Sequence, residues 1–256
     1  TNAKAVLRDG TTRLKKDGEI IHHHSGVAGF AEYAVLPKEA LVRIDKHIPF
    51  EHAALFGCGV VTGVGAVINT ASAREEDSIA IVGLGGVGLS ALLASIAIGS
   101  KKTIAIDLSN EKLNLAHELG ADHILNPNDA NFLERVRDLT SGGANIAIET
   151  AGSGRALKTA YDITRRGGTT VAAGMPGPKV DITLSHLSIA AEERIIKGSY
   201  MGSCIAHRDI PKYLDMFQTG KLPVDRLLSR KITFEDLNAA MDRLDDAKTV
   251  REVLIP

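Results

Sequence analysis

With 256 residues, 44% of them hydrophobic and 24% charged, the chain has the makeup of one large or two smaller globular domains, not of a disordered or fibrous protein. A formal net charge of −1 argues against nucleic acid or another polyanion as a partner. No apolar run reaches the length of a membrane span. The two cysteines, Cys58 and Cys204, build no disulfide framework, so a cytoplasmic setting is the default expectation.

The chain starts on Thr1-Asn2-Ala3-Lys4 with no apolar core behind it, so no signal peptide is expected there. The absence of an initial Met points to a processed chain, a fragment or a partial representation. Residues 1–50 carry Gly10, Gly18, Gly26 and Gly29 and two strand-like runs, residues 31–36 and 41–44. That segment reads as β-rich and too small to fold alone.

From about residue 60 to residue 200, strands and helices alternate. Residues 78–82 predict a buried parallel strand, and residues 89–98 a helix that opens out of the turn Gly83-Leu84-Gly85-Gly86-Val87-Gly88. A strand at 103–106 then ends on Asp107. A helix at 110–119 is stopped by Gly120, and a short strand at 123–125 is closed by Asn126-Pro127. Residues 132–139 predict a helix with Phe132, Val136 and Leu139 on one face. A strand at 145–150 follows, then a helix at 154–165 ended by Gly167-Gly168, then strands at 169–173 and 194–200. The order implies an α/β fold: a doubly wound parallel sheet, right-handed crossovers and helices on both faces. Beyond it, helices at 209–219 and 234–244, the second with Thr233 as N-cap, precede a terminal strand at 250–255.

Strand, glycine turn, helix, strand and acid, in that order, form the dinucleotide fingerprint in its proper context. Gly83 permits the tight turn, Gly85 lets a pyrophosphate approach the backbone, and Gly88 lets the helix pack close to the sheet. The helix N-terminus offers unpaired N–H groups and a positive dipole end to phosphates. Asp107, roughly twenty residues beyond the turn, suits the ribose hydroxyls and would repel a 2′-phosphate, so NAD is favoured over NADP. The competing reading is a glycine-rich turn in a nucleotide-free domain.

The stretch Phe56-Gly57-Cys58-Gly59-Val60-Val61-Thr62-Gly63-Val64-Gly65-Ala66, followed by that turn, resembles the zinc-type alcohol dehydrogenases of the medium-chain dehydrogenase/reductase superfamily. Asp9-Gly10-Thr11-Thr12-Arg13 with Arg8 before it, Ile21-His22-His23-His24, Phe30-Ala31-Glu32-Tyr33, Gly198-Ser199-Tyr200-Met201-Gly202 and Lys248-Thr249-Val250-Arg251 fit the same pattern. The subgroup it most resembles is the long-chain zinc alcohol dehydrogenases, which include glutathione-dependent formaldehyde dehydrogenase relatives.

The resemblance implies a Rossmann sheet flanked by remnants of a β-rich (GroES-like) catalytic domain. It divides the chain into a partial catalytic domain (1–59), an NAD-binding domain (60–200) and a C-terminal return to the catalytic domain (201–256). It also implies NAD-dependent interconversion of an alcohol and its aldehyde or ketone, with zinc as Lewis acid. Cys58 matches a zinc ligand and Thr62 a residue on the nicotinamide side, and these two are the catalytic candidates. Gly83, Gly85, Gly86, Val87 and Gly88 match the cofactor turn, and Asp107 and Lys112 the adenosine-ribose contacts. Ala173 and Met175 match the nicotinamide amide contact, and Arg251 a pyrophosphate contact, for which a guanidinium is apt. His24, Ser25, Met175 and Tyr200 match the wall of the substrate pocket. A homo-oligomer, dimer or tetramer, is expected on the same basis.

The departure from the family is large, because the part that carries the other zinc ligands and the proton relay has no counterpart in this sequence. One thiolate cannot hold a zinc ion that takes four ligands, so zinc is expected only where further ligands are supplied. Two smaller signals have ordinary readings beside their functional ones. His22 and His24 would share one side of a strand and could bind metal, or simply line a loop. Cys204 reads as a buried or half-buried free thiol. Three functions remain open: an NAD-dependent zinc-type alcohol dehydrogenase, a non-catalytic NAD-binding or scaffold protein, and a zinc-free reductase of the same superfamily. Asp107 argues against the last, since such reductases commonly prefer NADPH.

Overall fold

A computed structural model describes residues 5–7, 9–245 and 249–256. Residues 1–4, Arg8 and Lys248, cited above, lie outside the described residues, as does the side chain of Ser25.

The chain opens with a short antiparallel hairpin, β1 (Leu14–Lys16) and β2 (Glu19–Ile21), which turns at Asp17-Gly18. Both turn residues have positive φ, 51° and 85°, as a two-residue hairpin turn of the right twist requires. The runs at 31–36 and 41–44 do not form strands. Their apolar content is present, but no neighbouring strand among the described residues satisfies their backbone, and Tyr33 and Val35 stay 91% and 85% exposed. The His22/His24 strand is likewise absent: β2 ends at Ile21, and His24 begins a single helical turn.

A helical run not foreseen from the sequence follows. Helix α1 (Phe50–Ala53) passes through one tight turn to Cys58, where the run bends by 57°, and α2 (Gly59–Gly65) continues into a π-helical turn, residues 66–70. Every residue of α2 is buried. No single helix among the described residues is long and apolar enough to cross a membrane.

The parallel sheet then forms. Its elements are β3 (Ser78–Val82), α3 (Gly86–Ala97), β4 (Lys102–Ile106), α4 (Asn110–Glu118), β5 (His123–Leu125), α5 (Phe132–Thr140), β6 (Ala144–Glu149), α6 (Gly154–Ile163), β7 (Thr164–Ala172), α7 (His186–Ala191) and β8 (Ile195–Gly198). The strand order is β5-β4-β3-β6-β7-β8, every pair parallel. The chain winds outward from β3 to β5, returns, and winds outward again from β6 to β8. The winding reverses between β3 and β6, where such sheets open a crevice at their carboxyl ends.

Period-two alternation loads both faces of the sheet. Ile79, Ile81, Ala105 and Ile148 pack with α2, α3, α4 and the later helix α8 (Ala206–Gln218). Ala80, Val82, Ile104 and Ile106 pack with Phe132 and Val136 of α5 and Ala160 and Ile163 of α6. Helix α3 is apolar almost all round, and its two serines stay satisfied by bonding back to the carbonyls of Gly86 (2.6 Å) and Ala91 (2.8 Å). The boundary between α6 and β7 moves: α6 ends at Ile163, and Gly167-Gly168 lies inside β7 as an irregularity of the strand.

The C-terminal part returns the chain to the crevice. Strand β9 (Leu228–Ile232), helix α9 (Leu237–Asp242) and strand β10 (Arg251–Leu254) follow α8, with β10 parallel to β9. Thr233 is not the cap of α9. Asp236 stands at that position, and its carboxylate reaches back to the backbone N–H of Thr233 at 3.4 Å.

Candidate functional site

The first glycines of the fingerprint have distinct surroundings. Gly83 sits at φ +95°, and a methyl group there would lie 2.8 Å from Ala151. A methyl at Gly88 would strike the carbonyl of Gly83 and the hydroxyl of Thr150. At Gly85, by contrast, nothing comes within 4 Å, so the backbone faces open space at the head of α3. A tight turn, a close packing contact and an open approach are what a bound diphosphate needs at these three places.

Asp107 points into this turn. Its Oδ2 accepts the backbone N–H of Leu84 at 2.7 Å and its Oδ1 that of Ser109 at 2.9 Å. Each carboxylate oxygen keeps a lone pair for a hydroxyl. Lys112 enters the first turn of α4, where Ser109 caps the helix.

Arg251, at the start of β10, comes to the same place from the other end of the chain. Its guanidinium lies against both Gly59 and Gly86: a methyl at either glycine would collide with it. Gly86 is the first residue of α3, so a cation stands beside the helix N-terminus. Burial pulls the guanidinium below its ordinary value, and the neighbouring Cys58 acts in the opposite sense. Among the described residues no carboxylate pairs with it, and its one bond here is from Nη1 to the Val250 carbonyl at 2.9 Å. A half-buried cation with no carboxylate partner among the described residues, next to open backbone N–H groups, suits an anion.

On the far side of the turn lie the residues assigned to the nicotinamide half. Cys58 is an exposed free thiol at the bend before α2. The hydroxyl of Thr62 donates to the Cys58 carbonyl at 2.8 Å and lies 3.8 Å from the Met201 sulfur. Val87 is half-buried on α3, and its carbonyl packs against Gly63, where any side chain would collide. Ala173 is buried just past β7, with its N–H on the Glu149 carbonyl, whereas the Met175 side chain is 75% exposed. Tyr200 and His24 are exposed as well, and no hydrogen bond among the described residues joins His24 to the others. Cys204 stays apart: burial, with Asp209 beside it, pushes its thiol up to about 11, which keeps it protonated and unreactive.

Glu149 escaped the sequence reading. It ends β6, is buried, and its Oε1 accepts the N–H of Gly152 at 2.5 Å. Burial raises its carboxyl above the ordinary range, while the N–H groups of Gly152, Ala151, Ser153 and Gly174 pull it down. It thereby ties together the loops after β6 and β7, both at the crevice. The readable signal was an acid at the end of an apolar strand, three residues before a glycine.

Among the described residues no group of three or more His, Cys, Asp and Glu side chains converges as a metal site. Cys58 is therefore a lone donor, and these residues do not fit a zinc ion by themselves. The glycine turn, Asp107 and Arg251 do fit a dinucleotide.

Comparison with known proteins agrees with this geometry. The family described as zinc-binding dehydrogenase matches residues 86–219. S-(hydroxymethyl)glutathione dehydrogenase of Paracoccus denitrificans is 30% identical over all of this chain and 70% of its own length. A solved alcohol dehydrogenase zinc-binding domain protein from Burkholderia ambifaria superposes with a TM-score of 0.94 at 31% identity, covering 100% of this chain and 70% of that one. Benzyl alcohol dehydrogenase of Acinetobacter calcoaceticus does so with a TM-score of 0.89 at 29% identity, covering 96% and 68%.

Proposed function

The chain belongs to the family of zinc-binding dehydrogenases, and from that premise we propose that it is an NAD-dependent oxidoreductase that interconverts an alcohol and its aldehyde or ketone. The observation that carries the cofactor half is the Asp107 carboxylate bonded into the glycine turn, beside the open face of Gly85 and the guanidinium of Arg251. In this reading Gly83, Gly85, Gly86 and Gly88 present the backbone to the diphosphate, and Arg251 neutralises it. Asp107 and Lys112 hold the adenosine ribose. Thr62, Val87, Ala173 and Met175 border the nicotinamide, whose chemistry is hydride transfer at its ring. The family resemblance assigns Cys58, Thr62, Tyr200, Met175, His24 and Ser25 to the substrate side.

The division into residues 1–59, 60–200 and 201–256 is part of the same proposal. Its support is the return of β10 to Gly59 and Gly86, which couples the last segment to the first two. A small alcohol or aldehyde is the substrate class, by analogy with the named relatives. A homo-oligomer and a cytoplasmic setting complete the proposal, the former supported by β8, which ends the sheet with Ile195 and Ile196 exposed.

Titration with NAD and NADP tests the cofactor reading. Saturable uptake of NAD, with NADP at least about tenfold weaker, is expected, since a phosphate would meet the Asp107 carboxylate. Absence of NAD uptake overturns it. A second reading, NAD binding without chemistry, is favoured by the lone Cys58 donor. Turnover of primary alcohols in the presence of added zinc would eliminate that second reading, and NAD binding without turnover would establish it.

A further inference from the structure

The turn after β8 is backbone that side chains rarely tolerate. Met201, Gly202 and Ser203 all have positive φ, 49°, 65° and 49°. Three consecutive left-handed residues, two of them bearing side chains, persist only where the surroundings over-determine them. Here the surroundings come from the π-helical turn after α2. The Asn69 Nδ2 donates to the Gly202 carbonyl at 3.2 Å and also lies 3.2 Å from Asp209 Oδ2 and 3.0 Å from the Tyr213 hydroxyl. Thr70 and Ser203 share a hydroxyl hydrogen bond at 2.9 Å, and Thr70 and Ser199 another at 2.8 Å. Gly202 lies so close to Val61 and Gly65 that no side chain fits.

The consequence reaches the crevice. Asp107 marks the adenosine side of the diphosphate turn, on the β4 side of the switch point. The other half of a dinucleotide must then extend over β6, β7 and β8. The turn at 201–203 is separated from the end of β8 by two residues, Ser199 and Tyr200, and the Thr62 hydroxyl lies 3.8 Å from its Met201 sulfur.

We propose that Asn69 is a positioning residue for the nicotinamide half: it clamps the left-handed turn 201–203 onto α2 and so fixes Met201 against Thr62. The inference rests on the cofactor reading above. It assigns Asn69 no contact with the ligand.

Two probes separate this role from a purely structural one. ADP-ribose occupies the adenosine and diphosphate sites only, whereas NADH adds the dihydronicotinamide, whose fluorescence reports its surroundings. In the full chain, N69A is expected to weaken NADH about tenfold and to reduce its emission change on binding. ADP-ribose affinity should stay within about twofold, and N69Q, which keeps the amide donors, should recover part of the NADH signal. T70V, which removes the other strap on the same turn, should show the same split should N69A fold poorly. Equal losses for both probes, or no loss for either, would overturn the proposal. Failure of the unaltered chain to take up ADP-ribose would strike the cofactor reading itself, and this inference with it.

Discussion

The six-stranded sheet and the segment before residue 50 obey opposite rules, although one chain makes both. In the sheet, every residue of β3 is buried, each strand but the two outermost has two neighbours, and apolar side chains on both faces meet helices. In the early segment the one hairpin has exposed residues throughout, and Phe30, Tyr33 and Val35 find no cover. The first region carries the partners of its own hydrophobic pattern. The second has the pattern without the partners. Local pattern therefore becomes structure only where a second surface completes it.

The sharpest way to break this comparison is to cut into the sheet. Ile81 is fully buried in β3, between β4 and β6. Ile81→Ala should cost about 3 kcal/mol of stability, read as a fall in the urea midpoint. A loss below about 1 kcal/mol would mean that the sheet is far less tightly packed than its burial implies.

The next effect separates stability from binding. Arg251→Gln removes the unpaired guanidinium from between Gly59 and Gly86. NAD affinity should fall about tenfold or more, while the urea midpoint stays level or rises slightly, because a half-buried charge without an ion partner adds little to the fold. A parallel loss of stability with unchanged NAD binding would make Arg251 a structural residue.

These contrasts also explain what could be read from the sequence. The strands of the sheet were legible because burial on both faces turns them into continuous apolar runs, and the fingerprint was legible because its glycines and acid sit at short fixed spacings. Helix α2 was not. Gly59, Gly63 and Gly65 speak against a helix by propensity, yet Gly63 is needed where α2 crosses α3 and Gly65 where it meets Gly202. The hairpin hid because its strands span three residues each, although Asp17-Gly18 was its signal. Asn69 could not be assigned, because the groups it holds lie far along the chain and are brought to it only by the fold. The runs at 31–36 and 41–44 misled for the converse reason, since a short apolar, strand-like run becomes a strand only when a neighbour accepts it.

A subtler effect concerns pH. Burial raises Glu149 above its ordinary value of 4.5, so over the window just above 4.5 the folded chain holds a proton that the unfolded chain has lost. That group's contribution therefore favours folding at the acid end of the window and diminishes as pH rises through the folded value. Glu149→Gln removes the titration, so its stability measured between pH 4.5 and 7 should fall less with rising pH than that of the unaltered chain. A steeper fall in the variant would reverse the assignment of cause.

The smallest effect belongs to the early segment and completes the comparison. Tyr33 is 91% exposed and Val35 85%, so replacing either by serine removes almost no buried area. Each substitution should leave the urea midpoint within about 0.5 kcal/mol of the unaltered chain. What should change is self-association, because Phe30, Tyr33, Val35, Leu41 and Phe50 are large apolar side chains in contact with solvent in one stretch of chain. Light scattering against concentration measures it, and the double variant should scatter less at the same concentration. If instead the double variant lost stability as Ile81→Ala does, these side chains would be packing against something in the folded protein, and the contrast between the two regions would fail.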